Sequence, residues 1–306
     1  MTPALLLLAG AVCAAAGGEL FVRGAVGLAR WARVSPGIVA ATVVAFATSS
    51  PELSVSVNSA LAGNPEVALG DALGSNVVNV ALILGLAVAV AAIRSPRERL
   101  RRDFSVALLV PVATAGLCLD GTLSRLDGVV MLAVFAGWLF ATAREAQRTR
   151  SAAGRLLGAQ HHWAIVLSFL AGLTLLVAAG RLIVLGALGL AAGFGIDAFI
   201  VGATVVAVGT SVPELATVVV AQLRGHDDVS LGAVLGSNIF NGLFIVGTAA
   251  SIHPIGVAWR DAALALGFGV VALLAAYPQP SGLIDRWRAA PLLGLYALYV
   301  LVIWRM

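Results

Sequence analysis

Apolar runs of roughly 20 residues recur along the whole chain and are separated by short polar connections. A helix of that length crosses a hydrocarbon core of about 30 Å. Hydrophobic residues make up 60% of the sequence and charged residues only 11%, whereas a soluble domain is about 25% charged. The pattern predicts an all-α polytopic membrane protein, not a soluble enzyme. The ten predicted transmembrane helices are 4–29, 36–61, 67–92, 104–120, 126–143, 163–189, 197–222, 229–251, 259–277 and 288–305.

The basic residues predict the orientation of these spans. All 19 are arginine, and 14 of them lie in the connections that follow odd-numbered spans. Cytoplasmic connections carry such an excess, so we expect both termini to be extracytoplasmic and the 5–6 connection (144–162) to be cytoplasmic in a cell membrane. The net charge of +4 is therefore read as an orientation signal, with no nucleic acid as partner. The 5–6 connection is too short for a folded regulatory domain.

The chain contains an internal repeat with a constant offset of 162 residues. Between 41–79 and 203–241, 21 of 39 positions are identical. Each half holds five predicted spans, an odd number, so equivalent helices cross the membrane in opposite directions. This arrangement is typical of secondary transporters, whose binding site lies at the midplane where the halves meet. The predicted units are a first repeat (1–143, with its motif at 40–80), an Arg-rich connection (144–162) and a second repeat (163–306, with its motif at 202–242).

The repeated stretch places a proline and an acid inside an apolar helix, first as ATSSPEL and again as GTSVPEL. Pro51 cannot donate a backbone hydrogen bond, so we expect the helix to break near Ala47 and to free the carbonyls of 45–48. Glu52 lies just beyond the break, and Pro213 with Glu214 repeats the arrangement. Carboxylate, hydroxyl and carbonyl oxygens are the hard ligands that Ca²⁺ prefers.

The following span of each half adds amide and hydroxyl oxygens. Ser75 and Asn79 are four residues apart and share one helix face, and Ser237 with Asn241 repeats that spacing. Gly74 and its counterpart Gly236 are expected to let neighbouring helices approach closely. Ionisable residues within spans mark ion or substrate pathways by default, and two matched copies weigh against an ordinary proline kink.

Three classes of function remain open on these residues. A secondary cation exchanger is favoured, because its site needs oxygen ligands only. A cation channel of similar architecture would carry flux without a counter-ion. A carrier of small organic solutes would need aromatic or arginine contacts that the repeat lacks. An intramembrane hydrolase is weaker still, since no Ser-His, Asp-Asp or HExxH arrangement accompanies the serines.

The paired motifs TS-x-PEL and LGSN-x-x-N resemble those of the cation/calcium antiporter superfamily, and specifically a prokaryotic member of its sodium/calcium exchanger family. The resemblance spans nearly the whole chain. It implies that Glu52 and Glu214 coordinate Ca²⁺ together with two threonine carbonyls, that four serines and two alanine carbonyls form flanking Na⁺ sites, and that two asparagines line the central site. These further residues are Thr48 and Thr210, then Ser49, Ser75, Ser211 and Ser237 with Ala45 and Ala207, then Asn79 and Asn241.

The resemblance also implies the activity. The protein would exchange Na⁺ for Ca²⁺ by alternating access, with spans 1 and 6 sliding over the remaining core, and would extrude Ca²⁺ under an inward Na⁺ gradient. Three Na⁺ against one Ca²⁺ is the usual ratio of the family. No enzymatic activity, resident cofactor or obligate protein partner is expected. Ca²⁺ and Na⁺ are the transported partners, in a lipid bilayer. The alternative is a calcium/proton or other divalent-cation antiporter.

Two departures from the family pattern refine this expectation. Ala47 replaces the glycine usual before Thr-Ser, which Gly209 keeps in the second half. Asn241 replaces the aspartate of many prokaryotic members and of potassium-dependent exchangers, so we predict no potassium requirement. The Gly-Asn-x-x-Glu signature of calcium/proton antiporters is missing from spans 3 and 8, which argues against the proton as the main counter-ion.

Two further positions carry charge within predicted spans. Asp71 has Ala233 as its counterpart and either adds negative potential to an outer vestibule or is a solvated carboxylate at a helix start. Glu19 and Arg181 occupy matching positions in spans 1 and 6. An ion pair between them is one interpretation, and extension of the two side chains to opposite interfaces is the favoured one.

Overall fold

The structure, a computed structural model, describes residues 2–94, 97–152, 162–193, 211–257 and 259–305. Apart from four two-residue strands, this part of the chain folds into helices and turns. Seven of the described helices are long and apolar enough to cross a membrane, and a bent pair of helices makes an eighth candidate. Two shorter apolar helices, Val212–Leu223 and Ala262–Ala276, accompany them. The protein is an all-helical polytopic membrane protein.

The first half begins with one long helix and continues with two spans that change helix type along their length. The elements are α1 (Pro3–Ala32), α2 (Pro36–Val39), a π-helix (Ala40–Val44), α3 (Ala45–Thr48), α4 (Ser50–Leu61), α5 (Pro65–Val77), a π-helix (Val78–Leu84), α6 (Gly85–Val90), β1 (Ile93–Arg94), α7 (Arg97–Leu117), a 3₁₀ turn (Cys118–Asp120), β2 (Thr122–Leu123) and α8 (Arg125–Ala152).

The second half follows the same order where it is described. Its elements are α9 (His162–Gly193), α10 (Val212–Leu223), α11 (Asp227–Ile239), a π-helix (Phe240–Ile245), α12 (Val246–Ile252), β3 (Ile255–Gly256), α13 (Trp259–Ala276), β4 (Leu283–Ile284), a 3₁₀ turn (Arg286–Arg288) and α14 (Ala289–Trp304). The prediction ends span 5 at 143, where the apolar run ends. Helix α8 instead continues through polar residues to 152. Residues 197–210 of predicted span 7 lie outside the described residues.

Span 2 breaks where its proline predicts. The two parts, Pro36–Thr48 and Ser50–Leu61, meet at 48°, and Ser49 leaves the helical region with φ −85° and ψ 11°. One part of the prediction is wrong: the Ala45 carbonyl keeps a helical partner, because it accepts the N–H of Ser49 at 3.0 Å. Pro51 removes only the donor to Ala47, whose carbonyl accepts the Ser50 hydroxyl at 2.7 Å.

Helices α1 and α9 pack closely against each other along their length. A Cβ atom added at Gly24 would lie 2.6 Å from the Phe169 backbone, and one added at Gly172 would lie 2.4 Å from the Phe21 nitrogen. Small residues at such positions let two membrane helices approach backbone to backbone. The rings of Phe21 and Phe169 contact each other with centroids 4.5 Å apart and planes tilted by 31°, so α1 and α9 form one closely packed pair.

Glu19 does not pair with Arg181, which was the less favoured of its two interpretations. Its carboxylate pairs with Arg23, one turn along α1, at 2.7 Å and with Arg224, which follows α10, also at 2.7 Å. The two helices are antiparallel, since Gly10 faces Ile183 and Gly27 faces Ile165, so equivalent positions of the repeat face each other only near the middle of the pair. Arg181 lies exposed on α9, as the favoured interpretation of the two side chains predicts.

Four short strands tie the connections together in pairs. β1 is antiparallel to β4, with Ile93 opposite Ile284, and β2 is antiparallel to β3, with Leu123 opposite Ile255. All four named side chains are fully buried. These pairs hold the ends of the spans around a core that α5, α11 and their π-helices fill with buried side chains.

Candidate cation-binding site

Two acids lie at the same place in two similar helices. Glu52 is in the first turn of α4 and Glu214 is in the first turn of α10, each directly after a proline. Both helices begin at a serine of nearly identical backbone geometry, since Ser211 has φ −85° and ψ 9°. The two carboxylates are only 1% and 3% exposed. The repeated motif thus builds two equivalent buried acids.

The two motifs contact each other directly. The Ser49 hydroxyl donates a hydrogen bond of 3.0 Å to Oε1 of Glu214, 165 residues away. Ser49 is fully buried, and a hydrogen bond to an ionised acceptor is about twice as strong as a neutral one. This bond brings the break of span 2 against the acid of the second motif, so residues from both halves form one site.

The site is rich in buried oxygens without hydrogen-bond partners. Such atoms are few in ordinary protein interiors, because each one costs about 1–3 kcal/mol. Here they occur at repeat-equivalent positions, and each of the side chains that carry them is 3% exposed or less. They are Oε2 of Glu52 and Glu214, Oγ of Ser75 and Ser237, Oδ1 of Asn79 and Asn241, and Oγ of Ser211.

Two π-helices carry the asparagines. Asn79 lies in Val78–Leu84 and Asn241 lies in the equivalent Phe240–Ile245. π-helical turns are rare and occur frequently at functional sites, and here they alter the helical register between each serine and its asparagine. The sequence predicts one shared helix face for Ser75 and Asn79, and the structure buries both side chains with their oxygens unpartnered.

The electrostatics of the site favour a cation. The negative charges of Glu214 and Asp71 both act on the Glu52 carboxylate. Buried charges of one sign are costly unless a counter-charge compensates them. Two carboxylates surrounded by hydroxyl and amide oxygens form a donor set that suits Ca²⁺ or Na⁺. The geometry can therefore hold a hard cation and stabilise it.

The remaining predicted ligands differ in how far the structure describes them. Thr48 is buried, and its hydroxyl donates to the carbonyl oxygens of Val44 at 3.1 Å and Ala45 at 3.4 Å. Ala45 is buried in the same turn. Thr210 and Ala207, with Gly209 beside them, lie outside the described residues. Their contribution stays a prediction.

A second pair of asparagines, one from each half of the chain, was not predicted. The Asn76 amide donates to the Asn238 carbonyl at 3.2 Å, and the Asn238 amide donates to the Asn76 carbonyl at the same distance. These residues are equivalent in the repeat, so the two bonds are related by its symmetry. The signal was present in the sequence, because both asparagines belong to the repeated LGSN motif.

The close approach predicted for the motif glycines is found at Gly236. A Cβ atom there would lie 2.3 Å from the Ala41 carbonyl oxygen, so α11 packs backbone to backbone against the π-helix of span 2. In the other half the equivalent of Ala41 is Ala203, outside the described residues. The expectation for Gly74 therefore stays a prediction.

Comparison with known proteins agrees with this geometry. The family described as sodium/calcium exchanger protein matches residues 2–143 and 164–305. The chain belongs to the sodium/calcium exchanger family. The prokaryotic exchanger family predicted from the motifs is thereby confirmed, and with it a transporter of the cation/Ca²⁺ antiport type.

Relatives within this family cover most of the chain. It is 33% identical over 257 residues to the putative antiporter CaxA of Alkalimonas amylolytica, which covers 82% of this chain and 81% of that protein. It is 26% identical to the sodium/calcium exchanger MaX1 of Methanosarcina acetivorans over 98% and 97% of the two chains. The solved structure of the exchanger NCX_Mj soaked with 2.5 mM Na⁺ and 0.1 mM Ca²⁺ aligns with a TM-score of 0.84 at 27% identity, covering 98% of each chain.

Proposed function

We propose that this protein exchanges Na⁺ for Ca²⁺ across the cell membrane and normally extrudes Ca²⁺ under an inward Na⁺ gradient. The observation that carries the proposal is the pair of buried acids, Glu52 and Glu214, contributed by the two halves of the chain to a cluster of unpartnered oxygens. The exchanger name of MaX1 and the Na⁺ and Ca²⁺ soaks of NCX_Mj support the same pair of ions.

Shared ligands explain why transport would be an exchange. Two carboxylates neutralise one Ca²⁺, and the same oxygens can instead surround several Na⁺. Because both ions need Glu52 and Glu214, they do not bind together, and each must leave before the other enters. With three Na⁺ per Ca²⁺, one net charge would cross per cycle, so the membrane potential would contribute about 2.3 kcal/mol per 100 mV.

The proposed ligands follow the repeat. Glu52, Glu214 and the carbonyls of Thr48 and Thr210 hold Ca²⁺. Ser49, Ser75, Ser211 and Ser237 hold Na⁺ with the carbonyls of Ala45 and Ala207, and Asn79 with Asn241 line the centre. The unpartnered oxygens of Ser75, Ser237, Asn79 and Asn241 support this set. The Ala45 carbonyl accepts the Ser49 N–H and a longer bond from the Thr48 hydroxyl, so it would bind Na⁺ when that hydroxyl donates to the Val44 carbonyl alone.

We further propose ten spans arranged as two inverted repeats, 1–143 and 163–306, joined by 144–162. The strand pairing supports this topology. β1 and β3 are equivalent in the repeat, yet β1 pairs with β4 and β2 pairs with β3. With ten spans, β1 and β4 lie on one side of the membrane and β2 and β3 on the other. Equivalent strands then fall on opposite sides, as an inverted repeat requires.

The arginine distribution supports an orientation with both termini outside and the 5–6 connection inside. Alternating access would move the closely packed α1 and α9 relative to the site. Asn241 in place of an acid supports an exchange that requires no K⁺. A calcium/proton or other divalent-cation antiporter is the alternative.

The test is Ca²⁺ uptake by proteoliposomes that contain the purified protein, under imposed Na⁺, K⁺ or H⁺ gradients. We expect uptake only with an outward Na⁺ gradient, with no change when K⁺ is omitted. Uptake driven by H⁺ alone would favour the alternative antiporter, and uptake with no counter-ion gradient would indicate a channel.

Variants of the two acids locate the site. Glu52→Gln and Glu214→Gln should each weaken apparent Ca²⁺ affinity by roughly 30-fold or more, as expected when one partner of a buried charge pair is lost. Glu66→Gln is the matched control, because Glu66 is an exposed acid in the first turn of α5. Full activity in both site variants would overturn the assignment.

A further inference from the structure

Asp71 is a third acid beside the site, and the repeat does not provide it with a counterpart. It lies in α5, four residues before Ser75, and the equivalent position in α11 is the buried Ala233. Its Oδ2 atom is buried and has no hydrogen-bond partner. Asp71 is the seventh residue of α5, past the first turn to which the helix dipole is confined. The helix-start interpretation is therefore wrong.

The Asp71 charge acts on the cation site. Its carboxylate interacts electrostatically with both Glu52 and Glu214. One turn further along α5, the Ser75 hydroxyl is buried and unpartnered. The field of Asp71 therefore reaches the oxygens that would surround a cation, rather than a distant vestibule alone.

In this structure the Asp71 carboxylate is not gathered with the two glutamates as a ligand of the same ion would be. Among the described residues, no three His, Cys, Asp or Glu side chains lie together as the ligands of one metal would. All three acids are within the described ranges, so this spacing favours an Asp71 that acts on the ion through its charge over one that contacts the ion.

We propose that Asp71 is a specificity-determining residue that raises cation affinity through its field, with Ca²⁺ gaining twice as much as each Na⁺. The proposal rests on the function proposed above. A fixed potential stabilises an ion in proportion to its charge. Removing the Asp71 charge should therefore shift the logarithm of the Ca²⁺ dissociation constant by twice the shift for Na⁺. A threefold loss for Na⁺ would correspond to about ninefold for Ca²⁺.

The experiment measures equilibrium binding in detergent, with Ca²⁺ by calorimetry and Na⁺ by competition against Ca²⁺. Asp71→Asn is isosteric and removes only the charge. Asp71→Glu keeps the charge and should bind both ions nearly as the unmodified protein does. Glu66→Gln removes an exposed acid from the same helix and should leave both constants unchanged. Size-exclusion profiles check that each variant is folded.

In Asp71→Asn alone, the logarithm of the Ca²⁺ dissociation constant should shift twice as far as that of the Na⁺ dissociation constant. The proposal would be overturned by equal shifts for the two ions, by a shift for one ion only or by no shift. The same shift in Glu66→Gln would also overturn it. If Asp71→Asn does not fold, the Asp71→Ser variant gives the same ratio. Binding does not require transport, so failure of Na⁺-driven uptake in the unmodified protein would refute the proposed exchange while the ratio still decides the role of Asp71.

Discussion

At the residue scale, the hydrogen bond from Ser49 to Glu214 should give the Ser49 hydroxyl a measurable effect on the apparent Ca²⁺ affinity. Ser49→Ala removes the 3.0 Å hydrogen bond to Oε1. A bond to a charged group is worth about 1.5–3 kcal/mol, so apparent Ca²⁺ affinity should fall roughly 10- to 100-fold. The adjacent Ser50 is the control, because its hydroxyl bonds the Ala47 carbonyl of its own span. Calcium titration of both variants checks this, and an equal loss in Ser50→Ala would contradict it.

The sequence predicts these residues better than it predicts their partners. The matched motifs indicate Glu52 and Glu214, since two buried acids after two prolines have no other simple explanation. The donor to Glu214 is not predictable, because the contact between Ser49 and that acid depends on how two distant helix breaks meet. The same limit explains why the partners of Glu19 are missed, while its position in a span is predicted correctly.

At the scale of the element, Gly236 is where α11 meets span 2. A methyl group there would lie 2.3 Å from the Ala41 carbonyl oxygen, a backbone atom that cannot turn away. Gly236→Ala should therefore destabilise the protein by about 1–3 kcal/mol, the usual cost of overpacking. Gly137→Ala is the control, since Gly137 is an exposed residue of α8 and a Cβ atom added there would meet nothing within 4 Å. Thermal unfolding in detergent should show a lower midpoint for Gly236→Ala alone, and a similar midpoint for both would count against the close packing.

The reciprocal asparagines make a second prediction about elements. Asn76 and Asn238 join the two equivalent helices α5 and α11 by two bonds of equal length. Asn76→Ala and Asn238→Ala should each cost about 0.5–1.5 kcal/mol, because each removes one neutral hydrogen bond between the two helices. The two midpoints of thermal unfolding should fall by similar amounts. A loss confined to one variant would show that the two bonds are not equivalent in solution.

Element boundaries follow from the sequence wherever hydrophobicity sets them. Helix α1 and the helical segments Pro65–Val90 and Asp227–Ile252, which begin with α5 and α11, end within a few residues of the predicted spans, because proline, glycine and charge interrupt the apolar runs there. The π-helical segments are not predictable, since the residues of 78–84 would suit an ordinary α-helix. Their wider turns lie where helices of the two halves pack together, and local propensity does not encode that contact.

At the scale of the whole molecule, α1 and α9 form a pair that packs against α10, where a Cβ atom added at Gly18 would lie 3.2 Å from the Ala216 carbonyl oxygen. The rings of Phe21 and Phe169 hold the pair together, while Glu19 and Arg224 link it to the end of α10 by an ion pair. Such exposed pairs contribute little to stability, typically about 0.2–1 kcal/mol. A link of this kind can break and form again during a transport cycle, whereas the glycine-lined contact between α1 and α9 would be costly to separate.

If exchange requires α1 and α9 to move as a unit over the core, a covalent link between the unit and the core must stop it. Both native cysteines are free, so the test uses a Cys13→Ala, Cys118→Ala background. In that background, Glu19→Cys with Arg224→Cys joined by a short bis-methanethiosulfonate reagent should abolish Na⁺-driven Ca²⁺ uptake, and reduction should restore it. Phe21→Cys with Phe169→Cys joins two helices of the same unit and should leave uptake essentially unchanged. Transport that persists in the first cross-linked variant would show that the pair does not move relative to α10, because the link would then span two parts that stay fixed throughout the cycle.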